Sequence, residues 1–353
     1  MKRTVIVMKF KVLAGVSLAA LLIGVFAQST VRTQVAGGTN AARAPQSIAE
    51  FEAIFKQVSN WGRWGKDDEV GTMNLVTDAK RKQAAGLVKI GKAVSLAHTL
   101  ITEPAADTPN APGTSLGPFD MTGGGTTFKY AFHSTTHSHV DALCQFDYQG
   151  ELYNGVKISE VKSPKGCTKQ GMEMIKTGFT TRGVLFDIPR LKGVPYLEPG
   201  TPVYQEDMEA WEKKAGVKVG PGDAVFLRTG RWLRREKIGP WGLIPPDPEA
   251  GEAGYHVSQV QWLRKRDVAF VAADVSNDVR PSGVPKDVQG RVRSMPVHSL
   301  VIVAMGGYII DALDFEELAE TAARLNRWEF MVTGAGTAAK GGTGSLLNLT
   351  ALF

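Results

Sequence analysis

Cysteine and histidine are both scarce in this chain of 353 residues, which contains two cysteines and six histidines. An oxidising compartment would permit a disulfide between Cys144 and Cys167, but nothing in their spacing demands one. The chain is 43% hydrophobic, so it can bury a sizeable core and does not need a disulfide to fold. We expect Cys144 to be a small buried residue, because it follows Asp141 at the opposite parity of a strand.

Long apolar runs are also rare, and the one present lies at the start of the chain. Residues 1–27 carry four Lys or Arg and no Asp or Glu, and Val12–Ala27 contains only apolar and small residues. This stretch is shorter than the roughly 20 residues that span a bilayer. Small side chains at Val25 and Ala27 fit cleavage before Gln28. We predict a signal peptide over residues 1–27 and a periplasmic or secreted protein without stable membrane insertion. The alternative is an uncleaved anchor.

The mature part lacks both excess charge and a phosphate-binding loop. The formal net charge of +6 falls to +2 over residues 28–353 once the four basic residues of the signal are set aside. No basic stripe with interleaved aromatic residues is present, which argues against nucleic acid as a partner. The Gly-rich segments 123–125 and 341–344 are not followed by Lys and then Ser or Thr, so neither is a P-loop.

The rest of the chain alternates between helical and β-rich runs. We predict a flexible leader over residues 28–46 and a single domain over residues 47–353. The predicted helices are Ser47–Val58, Asp78–Leu87, Gln205–Ala215, Ser258–Arg266 and Phe315–Asn326. The predicted strands are Phe128–Phe132, Val184–Ile188, Ala224–Arg228, Val268–Ala272 and Leu300–Met305. This mixture indicates an α/β or α+β fold.

One segment, FHSTTHSHVDALCQF, concentrates side chains that can bind a metal ion. Three of the six histidines, His133, His137 and His139, fall within seven residues, and Asp141 follows. In a strand, His137, His139 and Asp141 would project from one face. Two imidazoles and a carboxylate suit Zn²⁺ or Mn²⁺ first, with Fe²⁺ also open, and leave positions for water and substrate. The alternative is a polar strand face with solvated histidines.

His133 lies further along the chain from Asp141 than the other two histidines. It keeps the strand parity of His137, but a straight strand would hold the two roughly 13 Å apart. His133 could therefore bind the same ion only if Ser134–Thr136 form a turn or bulge. Otherwise it supports a ligand or faces the substrate.

Three distant residues are candidates to complete the site. His298 precedes a strand-like apolar run that ends at Asp311, and a distant histidine and carboxylate often finish a metal site that a strand begins. Each is otherwise a core histidine or a strand-end aspartate. Arg228 ends the β-rich run of GDAVFLRTGR and would present a cation to a substrate oxygen. The alternative for Arg228 is a surface arginine.

The histidine segment resembles the cyclase-like, kynurenine-formamidase-related family of metal-dependent hydrolases. That family has the motif H-x-G-T-H-x-D-x-x-x-H, with a variant close to H-G-x-x-H-T-H-L-D-A-L-x-H-F. The residues that match the variant are His133, His137, His139, Asp141, Ala142, Leu143 and Phe146. Further blocks that resemble the family are NWGRWGKDDEVGTMNLVT, RGVLFDIPRLKG, GDAVFLRTGR, VAADVSNDV, PVHSLVIVAMGGYIIDALDFEELA and GGTGSLLN.

The resemblance implies a layered β/β/α fold around a curved, barrel-like sheet, in a homo-oligomer. It also implies a divalent metal cofactor and hydrolysis of a small-molecule amide, cyclic amide or lactone. In an amide or cyclic amide, the bond cleaved would be a C–N bond other than a peptide bond. His139 and Asp141 match the family's second metal-binding histidine and its aspartate. His298 and Asp311 lie near the downstream histidine and acid that some members use for a second ion.

Two positions depart from the family motif. The first metal-binding histidine falls on Thr135, so either His137 or His133 must replace it. The closing histidine falls on Gln145, which cannot titrate and binds metals poorly. We expect Gln145 to orient water or the substrate, with His133 or His298 as the acid/base group. Loss of the closing histidine keeps open a second interpretation, an exported binding protein without turnover. The histidine cluster disfavours a third, a metal-independent structural protein.

Overall fold

A curled sheet of nine strands organises the protein. The structure is a computed structural model that describes residues 41–101, 103–108, 132–243, 250–285 and 294–353. The strands of this half-barrel follow the order β1-β13-β11-β5-β7-β9-β10-β2-β12. They are β1 (Ala93–Ser95), β2 (His139–Asp141), β5 (Thr181–Asp187), β7 (Ala224–Arg228), β9 (Phe270–Ala273), β10 (Tyr308–Asp311), β11 (Glu329–Thr333), β12 (Gly344–Leu346) and β13 (Thr350–Leu352). Two small ribbons are β3 (Lys162–Ser163) with β4 (Gly166–Cys167), and β6 (Pro202–Val203) with β8 (Gly254–Tyr255).

The centre of the large sheet is parallel and its flanks are antiparallel. Strands β5, β7, β9 and β10 run parallel, whereas β2 pairs antiparallel with both β10 and β12. Parallel strands are covered on both faces and therefore read as continuous apolar runs. Every residue of β7, β9 and β10 is buried accordingly. Phe226 on β7 packs against Phe270, Phe315 and Phe330, with ring centroids 5.3–6.0 Å apart.

Helices cover the sheet, and most lie where periodicity predicts them. They are α1 (Ile48–Val58), α2 (Asp78–Ala85), α3 (Ile158–Val161), α4 (Ile188–Lys192), α5 (Gln205–Ala215), α6 (Arg231–Ile238), α7 (Gln259–Lys265), α8 (Pro296–His298) and α9 (Glu316–Leu325). The hydroxyls of Ser47 and Thr77 accept from Glu50 and Lys80 backbone N–H groups and so cap α1 and α2. The mixed α/β fold class is confirmed.

One predicted strand is wrong, because Leu300–Met305 belongs to a π-helix over Ser299–Ala304 that continues α8. A short apolar run cannot be assigned to strand or buried helix from periodicity alone. A hydrogen bond to a residue outside this run stabilises the start of the helix. Asp278 Oδ1 accepts from the backbone N–H of Val297 at 2.7 Å, which satisfies a donor at the helix start. The β-branched side chains are buried in the helix instead of the sheet.

Cys144 is buried as expected, but it is also bonded to Cys167 in a disulfide. The two Cα atoms lie 6.5 Å apart. The bond joins the segment that follows β2 to β4 of the small ribbon. Sequence spacing left this pairing open, since contact between the two segments depends on the fold.

Several sequence predictions fall outside the described residues: the signal over 1–27, most of the leader over 28–46, the Gly-rich segment 123–125, and all but the last residue of Phe128–Phe132. Among the residues that are described, none of the helices has the length and apolar character needed to cross a bilayer. The boundaries of the single domain over residues 47–353 stay a prediction.

Candidate metal centre

Strand β2 carries the core of the site. Because side chains alternate along a strand, His139 and Asp141 lie on the same face of β2. The neighbouring strands fix what lies beside them. Asp311 of β10 is directly opposite His139, and Gly344 of β12 is directly opposite Asp141. All three polar side chains are at most 3% exposed.

Within the described chain, two groups of three side chains have nitrogen and oxygen atoms within 4.8 Å of one another. The first is His133, His139 and Asp141, and Asp141 Oδ1 lies 2.8 Å from His133 Nδ1 and 3.7 Å from His139 Nε2. The second is Asp141, His298 and Asp311, and His298 Nε2 lies 3.2 Å from Asp311 Oδ2 and 3.9 Å from Asp141 Oδ2. Asp141 belongs to both groups, so its carboxylate is the centre of the cluster.

Hydrogen bonds to the outer ring nitrogens orient two of the imidazoles. His139 Nδ1 lies 2.7 Å from the carbonyl oxygen of His137, which leaves Nε2 facing Asp141 and Asp311. His298 Nδ1 lies 2.5 Å from Asp278 Oδ2, which likewise turns its Nε2 inward. Histidines that bind metals in proteins show this arrangement, because an outer partner fixes the tautomer and the ring.

The cluster has a strong negative potential. Burial lowers the pKa of His298, but the carboxylates of Asp311 and Asp278 outweigh burial and raise the pKa to about 10. A cation at His298 is therefore favoured even though the side chain has no exposure to solvent. The same potential favours a metal ion beside these carboxylates.

Among the described residues, one buried oxygen in the cluster has no hydrogen-bond partner. Asp141 Oδ1 accepts no hydrogen bond, although His133 Nδ1 is 2.8 Å away, because the two atoms lack the alignment of an N–H···O bond. An unsatisfied group of this kind costs about 1–3 kcal/mol. A divalent cation held by His133, His139 and Asp141 would satisfy this oxygen, and this donor set suits Zn²⁺ or Mn²⁺. The residues therefore fit a divalent metal ion.

Asn277 and Asp278 support the cluster and were not identified from the sequence. Asn277 Nδ2 donates to Asp311 Oδ1 at 2.6 Å, so the other oxygen of Asp311 faces the histidines. Asp278 holds His298 as described above. The available signal was the polar run Ser276–Asp278, which begins three residues after the end of the apolar strand β9. This polar run is buried in spite of its polarity.

The shared face predicted for His137 is wrong. His137 precedes β2, and its Nε2 and Nδ1 lie 3.2 Å from the carbonyl oxygen of Ile101 and 3.3 Å from Ser134 Oγ. It is in neither group of potential ligands. The chain bends at Ser134–Thr136, and this bend brings His133 next to Asp141. A straight strand would keep the two residues apart.

Arg228 is not a surface residue, since it is 7% exposed at the end of β7. Its Nη1 donates to Asp187 at 2.9 Å and its Nη2 to Glu316 at 2.6 Å. Burial lowers the pKa of the guanidinium, but these carboxylates reverse the shift and raise it above the usual value. These ion pairs give Arg228 a structural role, and contact with a substrate stays a prediction.

Gln145 ends the short 3₁₀ helix Leu143–Gln145 that follows β2, and it is partly buried. The next residue, Phe146, packs on the His298 ring with centroids 4.9 Å apart. Gln145 thus lies four residues after Asp141, which both groups of ligands share. Its role in orienting water or substrate stays a prediction.

Comparison with known proteins identifies the family. The family model described as "Putative cyclase" matches residues 88–278. The crystal structure of a novel cyclase is similar to this chain, with 29% identity and a TM-score of 0.71, over 85% of this chain and 99% of that one. No curated protein matches the sequence.

Isatin hydrolases share the fold at lower identity. Isatin hydrolase A from Labrenzia aggregata bound to benzyl benzoate has 18% identity and a TM-score of 0.51, over 76% of this chain and 94% of that one. An isatin hydrolase bound to the product analogue thioisatinate has 16% identity and a TM-score of 0.52, over 77% of this chain and 95% of that one. With the family match over more than half of its residues, this chain belongs to the cyclase family.

Proposed function

We propose that this protein is an exported metal-dependent hydrolase of a small amide, cyclic amide or lactone. The observation that carries the proposal is the buried Asp141 Oδ1, which has no hydrogen-bond partner between two imidazoles. His133, His139 and Asp141 would hold one ion, and Asp141, His298 and Asp311 offer a second position. When bound, a Zn²⁺ or Mn²⁺ ion lowers the pKa of water and polarises a carbonyl group.

The surrounding residues orient the reacting groups. Asp278 fixes Nδ1 of His298, so Nε2 is the atom that can exchange a proton when the second position is empty. The Gln145 amide can donate hydrogen bonds through its NH₂ group and accept them at its carbonyl oxygen, which suits an amide substrate or a water molecule but excludes proton transfer. We therefore assign the acid/base role to His298 and an orienting role to Gln145.

The substrate class draws support from the isatin hydrolases that share the fold. Isatin contains a cyclic amide, so cyclic amides are the first substrates to test. Cleavage of such a ring breaks a C–N bond other than a peptide bond.

Export draws support from the disulfide between Cys144 and Cys167, because disulfides persist in oxidising compartments. Intact-mass measurement of protein from the exported fraction tests the signal over residues 1–27. We expect the mass of a chain that begins at Gln28. A membrane-bound form that retains residues 1–27 would contradict cleavage of the signal peptide. The homo-oligomer also stays a prediction, which light scattering tests.

Hydrolysis of a panel of N-formyl aromatic amines, cyclic imides, isatins and lactones tests the function. We expect turnover that a chelator abolishes and that Zn²⁺ or Mn²⁺ restores, with Asp141→Asn inactive as the matched control. Activity that survives complete metal removal would refute the metal-dependent mechanism.

A binding protein without turnover is the second candidate, and Gln145 in place of the closing histidine favours it. Gln145→His supplies an imidazole with a pKa near 6.5. If the wild type binds metal but hydrolyses nothing and Gln145→His gains hydrolysis, the binding protein is the better description. If the wild type turns over and the variant is slower, Gln145 is an adapted residue of an enzyme.

A further inference from the structure

Strand β12, near the end of the chain, and the residue before it contact the least constrained ligand candidate. His133 lies outside any strand, and its side chain is 28% exposed, against 3% for His139. Thr343 Oγ1 lies 2.9 Å from His133 Nε2. This is the hydrogen bond that holds the outer nitrogen of the His133 ring.

Gly344 makes room for the ring beside Thr343. A Cβ atom added at Gly344 would lie 2.6 Å from His133 Cε1 and 2.4 Å from the carbonyl oxygen of Val140. Only glycine therefore lets the His133 ring and strand β2 approach the chain this closely. The Thr-Gly pair provides both a space for the ring and a partner for its nitrogen.

The protonation of the ring follows from these contacts. A neutral imidazole has one N–H donor and one lone pair. The geometry between Nδ1 and Asp141 Oδ1 does not fit an N–H···O hydrogen bond, whereas the Thr343 hydroxyl oxygen lies within hydrogen-bond distance of Nε2. We therefore place the N–H on Nε2, with the Thr343 hydroxyl as its acceptor. The lone pair of Nδ1 faces Asp141 Oδ1 at 2.8 Å.

We infer that Thr343 is a positioning residue that fixes His133 as a metal ligand through Nδ1. The inference rests on the proposed metal site and deepens it. It selects His133 over His137 as the replacement for the ligand missing at Thr135. It also distinguishes the two imidazoles, because His139 presents Nε2 to the same carboxylate.

Paired substitutions at Thr343 test the inference through metal affinity. Thr343→Val removes the hydroxyl with little change of shape, and Thr343→Ser keeps it. Thr333→Val is the matched control. Thr333 lies on β11, away from the cluster, and its hydroxyl forms a hydrogen bond with the Thr180 hydroxyl. Partners of this kind are typically worth 10–100-fold in metal affinity. Calorimetry with Zn²⁺ should show about that loss for Thr343→Val and wild-type affinity for the other two variants.

A second measurement does not depend on a folded variant at Thr343. Long-range ¹H–¹⁵N spectra of the Zn²⁺-loaded wild type, with the His133 signals assigned by His133→Gln, report which ring nitrogen binds the ion. We expect a metal-bound Nδ1 and a protonated Nε2. A metal-bound Nε2, or unchanged affinity in Thr343→Val, would overturn the role of Thr343 and leave the hydrolase proposal intact. A wild type that binds no metal would overturn both.

Discussion

Two buried aspartates occupy similar positions in the sheet and have opposite surroundings. Asp274 directly follows β9, and Asp141 ends β2; neither is more than 3% exposed. The carboxylate of Asp274 accepts from the backbone N–H groups of Thr229, Gly230 and Arg231 and from the Thr229 hydroxyl, at 2.8–3.3 Å. Asp141 Oδ1 accepts no hydrogen bond.

The comparison separates a structural carboxylate from a candidate ligand. Asp274 satisfies the orphan donors at the start of α6, so the protein itself supplies all of its partners. Asp141 has imidazole nitrogens as neighbours at distances set by other partners, and it needs something external to satisfy Oδ1. Burial alone does not distinguish the two residues, whereas the count of internal donors does.

The largest expected effect is loss of the metal in Asp141→Asn. The change removes the negative charge that both groups of ligands share. We expect more than a 100-fold loss of Zn²⁺ affinity, beyond the roughly 10–100-fold typical of outer partners. The free energy of unfolding without metal should stay within about 1 kcal/mol of wild type, because Oδ1 loses no hydrogen bond. Calorimetry and urea denaturation measure the two quantities, and stoichiometric metal binding by the variant would place the site elsewhere.

Asp274→Ala should show the opposite pattern. It leaves several buried N–H donors at the start of α6 without an acceptor, so the free energy of unfolding should fall by about 3 kcal/mol. Zn²⁺ affinity of the folded variant should stay near wild type. Urea denaturation with and without Zn²⁺ checks both statements. A folded Asp274→Ala variant that has lost the metal would remove the distinction between the two aspartates.

The smallest expected effect is that of His137→Ala on metal binding. His137 is in neither group of ligands, and the carbonyl oxygen that orients His139 belongs to the backbone and stays in the variant. We expect less than a tenfold loss of Zn²⁺ affinity for His137→Ala and about 100-fold or more for His133→Ala. Parallel calorimetric titrations compare the two variants. The reverse order would show that His137, not His133, replaces the missing ligand.

Local signals in the sequence were sufficient for five of the described helices (α1, α2, α5, α7 and α9) but not for the others or for every apolar run. The capping residues Ser47 and Thr77 and the periodic helix Gln205–Ala215 lie where the sequence predicts them. The run Leu300–Met305 has β-branched residues typical of a strand, yet it lies in a π-helix. Asp278 accepts a hydrogen bond from the backbone at the start of the preceding helix, which the π-helix continues. A donor–acceptor pair made across the fold overrides local preference in this case.

The candidate site divides in the same way. The spacing of His139 and Asp141 on β2 was readable, because alternation is a property of the strand itself. The bend that returns His133 to the cluster was not, and neither were the contacts from Asn277 and Thr343. These contacts depend on the strand order in the sheet. There β2 lies between β10 and β12, and both of these strands are far from β2 in the sequence.

The position of β12 beside β2 has a consequence for biosynthesis. His133 and Thr343, which bond to each other, are 210 residues apart. At about 5–20 residues per second, roughly 10–40 s of translation separate the emergence of one from that of the other. A nascent chain therefore exposes its histidine segment well before the strand that completes the cluster exists. We therefore expect His133 to gain its Thr343 partner only after β12 has been synthesised.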